Sequence, residues 1–160
     1  MSLSPNSGLT LNHVAVIKTS PDKTSKERKS VQDIDSAKTL INGVQAYLKS
    51  ADVVVVEMPT GSQSASAMKS YGICVGIVGY ITSLGIPIIF KTPQDVKKVV
   101  GNNQASKEEV IHWVSTRHPN ILSKYKGTAE HQADATAVIY SALNQLKEIQ
   151  NYGLTNYRNP

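Results

Sequence analysis

Glu57 is the residue whose position in this chain most strongly indicates chemistry. It directly follows four consecutive valines, residues 53–56. Such a β-branched apolar run predicts a short strand that is buried on both faces, as in the middle of an α/β sheet. Ligands and catalytic groups of open α/β sheets lie at the carboxyl ends of the strands. A carboxylate there is costly unless it is paired or binds a metal ion. Position alone leaves two interpretations: a chemical group, or a cap or salt-bridge partner of the next helix.

A second group of candidate ligands lies near the C-terminus. His131 and Asp134 open a stretch, residues 134–149, whose apolar residues have helical spacing. Residues three apart on a helix share a face, so the imidazole and the carboxylate point the same way, with Glu130 beside them. Together with Glu57 they offer the oxygen and nitrogen ligands that divalent cations take. Taken alone, Glu130 and Asp134 are equally compatible with ordinary acidic residues in the first turn of a helix.

These side chains are positioned by alternating predicted strands and helices, a pattern typical of an α/β layered domain. The predicted strands cover residues 9–17, 53–56 and 86–90. The predicted helices cover residues 33–48, 65–84 and 93–99, a fourth helix capped by Ser106 with Glu109 in a capping box, and a last helix that begins near Glu130. We expect a single domain, residues 1–150, followed by a loose tail, residues 151–160.

Residues 71–90 form an apolar stretch without formal charge, about as long as a membrane span. Gly85 and Pro87 interrupt it, so we expect a buried helix and then a strand, and no association with a membrane. The glycines of this helix are expected to let it lie close against a sheet or another helix. Cys74, the only cysteine, is expected to be a small core residue. A chain that can form no internal disulfide favours a reducing compartment, the cytoplasm.

The charge of the chain is moderately basic. Lys and Arg number 17 against 12 Asp and Glu, which gives a net charge of +5. The bases are clustered, for example within residues 23–29 and 124–126, and such clusters are what binding to a phosphate backbone requires. Lysine-rich surfaces also occur on proteins that bind no nucleic acid, so the charge permits DNA binding without demanding it.

Several stretches, taken in order, resemble the RuvC family of Holliday junction resolvases, and more particularly its phage-type members. The matching stretches are residues 53–57 with Pro59 and 61–65, then 71–76, 100–101 with 105–110, and 131–135. The resemblance implies an RNase H-like fold, a mixed sheet flanked by helices on both faces. It also implies a homodimeric, Mg²⁺-dependent endonuclease, with Mn²⁺ as an alternative metal, that hydrolyses phosphodiesters in branched or duplex DNA.

The same resemblance assigns roles to individual residues. Glu57 matches the family's second acidic ligand, and His131 and Asp134 match the last two, although many members have aspartate at the position of His131. Lys107 matches a lysine that the family places near the scissile phosphate. The family's first ligand is an aspartate at the end of the first strand, and the match places it immediately before Met1. We therefore expect this aspartate either to lie upstream or to have been lost.

The functional expectation is a metal-dependent endodeoxyribonuclease of the crossover junction type. Two alternatives stay open. The first is a junction-binding protein that has lost catalysis together with the first aspartate. The second is a nucleotide-binding or small-molecule-binding α/β domain, since residues 61–64 follow a strand and precede a helix as phosphate loops do. That segment lacks the glycine spacing and the Lys-Ser/Thr pair of a P-loop.

Overall fold

The computed structural model describes residues 2–3, 9–20, 24, 26–58 and 64–152. The expected phosphate-loop-like residues 61–63, residues 4–8 of the expected first loop, and the tail from residue 153 lie outside the described residues. The elements are β1 (Ser2–Leu3), β2 (Leu9–Thr10), α1 (Lys29–Leu48), β3 (Val54–Glu57), α2 (Ala65–Ser83), β4 (Ile88–Lys91), α3 (Pro93–Val99), α4 (Lys107–Arg117), α5 (Lys126–Ser141) and α6 (Leu143–Tyr152).

The described strands form two separate pairs. β1 pairs antiparallel with β2, with Leu3 opposite Leu9. β3 pairs with β4: the Val54 amide donates to the Pro87 carbonyl and the Met58 amide donates to the Lys91 carbonyl, each at 2.9 Å. Donors and acceptors advance in the same direction, which is the parallel arrangement. Among the described residues the sheet is therefore smaller than the mixed sheet that the resemblance implies.

The predicted strand over residues 9–17 is wrong beyond Thr10, because residues 11–20 have no regular structure. A loose alternation of β-forming residues is not sufficient for a strand, since pairing and cross-strand packing decide it. The valine strand is confirmed but displaced: β3 runs from Val54 to Glu57 and its residues are half-buried rather than fully buried. The following strand is also displaced, since β4 begins at Ile88.

The chain divides into two compact units. The first unit consists of Met1–Val16, Val55–Pro59 and Ile88–Pro160, and the second consists of Ile17–Val54 and Thr60–Pro87. In the first unit α5 packs against both α3 and α4. Its core is a cluster of small and β-branched residues from these helices and the adjoining loop: Val96, Ala105, Val110, Val114, Ala133, Ala137 and Val138. Val55 of β3 packs against this core cluster.

Val55 determines which way Glu57 faces. Side chains two apart on a strand lie on the same face, so Glu57 projects to the side on which Val55 meets the core cluster. Asp134 directly follows Ala133, which is fully buried in that cluster. The strand end and the helix are thus brought together by apolar packing next to each carboxylate.

Local capping signals predict α3 and α4 correctly. Thr92 caps α3 in a capping box with Asp95, and Ser106 caps α4 in a capping box with Glu109. The last predicted helix is only partly right. It begins at Lys126 rather than near Glu130, and it is interrupted at Ala142, after which α6 continues. The apolar periodicity runs across this interruption, so spacing alone could not show it.

In the second unit α1 packs against α2, and the Lys69 ammonium pairs with the Asp33 carboxylate at 2.7 Å. The prediction that α2 is a buried helix is wrong. Ile81 is the buried residue of α2, whereas Met68 and Val75 are exposed. Cys74 is exposed as well, which corrects its assignment to the core. A helix packed against a single partner buries one stripe, and Cys74 lies outside that stripe.

Within the part of the chain that the structure describes, the glycines of α2 do not serve the close approach that we expected. A Cβ atom added to Gly72, Gly76 or Gly79 would meet no heavy atom within 4 Å. Among the helices that the structure describes, none is both long enough and apolar enough to cross a bilayer.

Candidate functional site

Glu57 is the last residue of β3 and its side chain is half-buried. It does not cap the next helix, because the Ser64 hydroxyl caps α2 by accepting from the Ala67 amide at 3.2 Å. Burial raises the pKa of the Glu57 carboxyl, and the negative charge of Asp134 raises it further. Glu57 is therefore a carboxylate whose ionised form is disfavoured by its surroundings.

Asp134 is the second half-buried carboxylate of the site. Burial is the main cause of its raised pKa, and the charge of Glu130 acts in the same direction. The positive charges of Lys107 and His131 oppose the rise without cancelling it. Glu57 and Asp134 thus lie within electrostatic reach of each other.

Lys107 lies within electrostatic range of Asp134. It is the first residue of α4, and its ammonium forms an ion pair with the Glu130 carboxylate of α5. The lysine side chain is 70% exposed and that of Glu130 only 18%. Glu130, followed by Asp134 and Glu108, raises the pKa of Lys107. The ammonium therefore stays charged and remains accessible from solvent.

His131 lies on α5, three residues before Asp134, and is exposed. Its charge is among those that lower the pKa of Asp134, so the structure brings these two side chains near each other. Among the four residues selected from the sequence, the charge of Asp134 affects the pKa of Glu57. The charges of Lys107 and His131 in turn affect the pKa of Asp134. These residues come from β3, α4 and α5 of the first unit.

The donor set fits one hard cation. Mg²⁺ is usually held by one or two carboxylates, with waters and substrate phosphates completing the shell. Glu57 and Asp134 supply two such carboxylates, and a cation between them would relieve the repulsion that raises the pKa of Glu57. Within the described part of the chain, no group of three or more His, Cys, Asp or Glu side chains is arranged to hold a metal ion. The two carboxylates therefore offer fewer ligands than a closed metal-binding cage requires.

Two further residues of this region, one on α5 and one immediately before it, were not selected from the sequence. Gln132, buried on α5, accepts through Oε1 from the Ser123 amide at 2.7 Å and fixes the segment that enters this helix. Tyr125 is the residue immediately before α5 and is highly exposed. A signal for Tyr125 is present in the sequence, since it stands between Lys124 and Lys126. Gln132 gives no such signal, because an isolated glutamine in a helix is ordinary.

The fold is similar to that of a solved protein structure. The chain matches the structure titled "T. thermophilus RuvC in complex with Holliday junction substrate" with a TM-score of 0.60 and 18% sequence identity, over 83% of this chain and 78% of that chain. The fold is RuvC-like. No protein-family model matches the sequence, and no curated protein is significantly similar to it. At 18% identity the RuvC likeness concerns the fold alone.

Proposed function

We propose that this protein is a divalent-metal-dependent endonuclease that hydrolyses phosphodiesters in branched DNA, as a phage-type member of the RuvC family with an RNase H-like domain over residues 1–150. One observation carries the proposal: in a RuvC-like fold, the Glu57 carboxylate at a strand end lies within electrostatic range of the Asp134 carboxylate on α5, and burial raises the pKa of both. A half-buried carboxylate pair with an adjacent exposed ammonium is suited to a cation and a phosphate.

The residues take separate roles in this proposal. Glu57 and Asp134 would hold Mg²⁺, for which Mn²⁺ can substitute. A bound metal ion would supply Lewis-acid activation of a phosphate oxygen and of the attacking water. Lys107 stabilises the negative charge that develops on the phosphate. His131 binds the metal through a neutral imidazole or accepts the proton of the attacking water, and its exposure leaves it open to solvent.

The proposed partners are DNA and a second copy of the chain. The net charge of +5 favours binding to a phosphate backbone.

A homodimer would cover the exposed face of α2, where Met68 and Val75 are exposed and three glycines have open space around them. Mid-helix glycine costs about 1 kcal/mol relative to alanine, and close packing against a partner helix is one compensation. We place the protein in the cytoplasm, where DNA and Mg²⁺ are both present.

A second candidate is a junction-binding protein without catalytic activity. The small number of metal ligands favours this candidate. The described residues offer the two carboxylates of Glu57 and Asp134 and no larger metal-binding group. Two-metal hydrolysis requires a clamp on both the attacking and the leaving oxygen. The two candidates share DNA recognition and differ only in whether phosphodiester bonds are hydrolysed.

Both candidates are tested by incubating the purified chain with a labelled four-way junction and with a linear duplex of the same sequence. The proposed function predicts preferential binding of the junction, weakening steeply as salt rises, and nicks near the crossover in Mg²⁺ but not in EDTA. Binding without nicking in either Mg²⁺ or Mn²⁺ would select the second candidate. Equal affinity for junction and duplex at all salt concentrations would exclude both.

A further inference from the structure

Tyr125 is the most exposed of the large apolar and aromatic side chains in the described part of the chain, with 80% of its surface accessible. Large aromatic rings are usually buried because each covers 150–250 Å² of surface. Lys124 and Lys126 flank this ring, and both are exposed. An exposed ring between two bases offers a flat apolar face and two cations, which matches the chemistry of a nucleotide strand.

The backbone that carries this ring is fixed. The Tyr125 amide donates to the Ser123 hydroxyl at 3.2 Å, and the Tyr125 carbonyl accepts from the amides of Thr128 and Ala129 at 3.0 and 2.9 Å. The Ser123 amide is held in turn by Gln132, which is 8% exposed. Gln132 also donates through Nε2 to the Val14 carbonyl at 3.4 Å. The ring is therefore exposed on an ordered support rather than on a loose loop.

That support is the same helix that carries the candidate site. Gln132 is the residue between His131 and Ala133 on α5. The helical turn that holds Tyr125 in place through Gln132 and Ser123 therefore also carries the proposed metal-binding side chains. At about 1.5 Å per helical residue, Tyr125 lies about 9 Å before His131 and about 14 Å before Asp134 along the helix axis. At about 3.4 Å per stacked nucleotide, these distances correspond to about three to four nucleotides.

The flanking lysines are available to phosphates. Lys126 pairs with the Glu108 carboxylate at 3.0 Å, with side-chain exposures of 76% and 66%. Ion pairs this exposed contribute little to stability, so a phosphate can replace Glu108 at low cost. Lys124 and Lys126 therefore both stay able to bind phosphates when the segment contacts DNA.

We propose that Tyr125 stacks on an unpaired base of the DNA substrate, about three to four nucleotides from the phosphate at the Glu57 and Asp134 site, while Lys124 and Lys126 contact the adjoining phosphates. This inference rests on the proposed function and adds a basis for substrate choice. A paired base within a duplex shows its edges rather than its face, so stacking on Tyr125 favours branched or single-stranded DNA over an intact duplex.

The test measures DNA binding by the full chain carrying Asp134→Asn, which removes cleavage as a complication. The probes are a single-stranded oligonucleotide containing 2-aminopurine and the corresponding perfect duplex. Tyr125→Ala and Tyr125→Leu are expected to weaken single-strand binding about 5- to 150-fold, since base stacking contributes ~1–3 kcal/mol. Tyr125→Phe keeps the ring and is expected to bind within twofold of the parent, and duplex affinity is expected to change less than twofold in all three.

Tyr47→Ala is the matched control, because it removes another exposed tyrosine, at 48%, from α1 of the second unit. It is expected to leave single-strand binding unchanged. Thermal melting of each variant identifies any loss of folding. Full single-strand affinity in Tyr125→Ala or in Tyr125→Leu would overturn the stacking role and leave the proposed function intact. For Tyr125→Ala, this result would also favour a protein partner for this surface. Absence of DNA binding by the parent would overturn the proposed function together with this inference.

Discussion

Burial, together with the charge of Asp134 on α5, raises the pKa of Glu57 at the end of β3, although the two residues are far apart in the sequence. Apolar packing of Val55 and Ala133 against the same core cluster brings these two elements together. The resulting repulsion between carboxylates can be relieved by a proton or by a cation. The first two predictions test these two means of relief.

Neutralising either carboxylate is expected to stabilise the folded protein at neutral pH. Because the pKa values of Glu57 and Asp134 are raised in the folded state, their protonated forms favour folding. That stability is fully present below the ordinary values of about 4 and is lost as pH rises through the raised values. Glu57→Gln and Asp134→Asn should therefore raise the Tm at pH 7 in EDTA, by about 2–4 °C for each kcal/mol recovered.

Glu109→Gln is the control for that measurement, because the Ser106 capping interactions lower the pKa of Glu109. Its ionised form favours folding, so this substitution should lower the Tm at pH 7. The advantage of Asp134→Asn should also shrink as pH falls through the raised pKa of Asp134, and it should be gone below about 4. A lower Tm for both Glu57→Gln and Asp134→Asn at pH 7 would contradict the predicted repulsion.

Mg²⁺ is expected to relieve the same repulsion by binding. A ligand that binds only the folded state raises the free energy of unfolding by RT ln(1 + [L]/Kd), which is about 2.7 kcal/mol at 100 times Kd. Titration with Mg²⁺ or Mn²⁺ should thus raise the Tm of the unaltered chain and have little effect on Asp134→Asn. Equal metal-dependent shifts in the two proteins would show that any bound metal lies elsewhere.

Lys107→Ala is expected to reduce cleavage more than DNA binding. Removing one electrostatic stabiliser of a transition state commonly costs about 10²- to 10³-fold in rate, whereas loss of one exposed charge has a small effect on affinity. Single-turnover cleavage and equilibrium binding should be measured on the same junction. Lys98→Ala removes an exposed lysine from another ion pair, with Asp95 on α3. If Lys107→Ala and Lys98→Ala reduce the cleavage rate equally, Lys107 does not act at the site.

Glu130→Gln tests whether the ion pair positions Lys107. Glu130 is the main cause of the raised pKa of that lysine, and its loss should free the ammonium from its place beside Asp134. We expect the single-turnover cleavage rate to fall about 10-fold, as for other groups that orient a ligand, with the junction Kd unchanged or lower because a negative charge is removed. A higher Kd with an unchanged rate would indicate a role in DNA binding instead.

The elements that could be predicted are those with short-range signals. Pro93 as a first-turn residue, and the capping box of Ser106 with Glu109, predict α3 and α4 because the start of a helix is decided within a few residues. The exposed face of α2 could not be predicted, because hydrophobicity shows that a helix is apolar without showing what covers it. The interruption at Ala142 was equally hidden, since the apolar spacing continues into α6.

For the candidate site, the sequence identifies the residue types but not all their relations. Glu57 could be selected because a charge at the end of a valine strand is unusual, and Asp134 because it shares a helix face with His131. The ion pair between Lys107 and Glu130 depends on the packing of α4 against α5. That packing is a tertiary contact which no local pattern encodes. The expected aspartate ahead of Met1 stays a prediction.

That prediction is tested by adding an upstream strand that ends in aspartate immediately before Met1. The resemblance to RuvC predicts that the extended protein nicks four-way junctions in Mg²⁺ faster than the chain without it, since a further carboxylate completes the clamp on two metal ions. An asparagine at the added position is the control and should give no increase. Equal rates for the aspartate and asparagine extensions would contradict the predicted first ligand.

The central claim is that the Glu57 and Asp134 pair is the metal-dependent centre of a junction nuclease. Its most direct test is single-turnover cleavage of a labelled four-way junction in Mg²⁺ by the unaltered chain and by Asp134→Asn, with EDTA as the metal-free reference. We predict slow but measurable nicking by the unaltered chain, which falls at least about 100-fold in Asp134→Asn and is abolished by EDTA, with junction binding retained in both proteins. Cleavage by Asp134→Asn at the rate of the unaltered chain would contradict the claim.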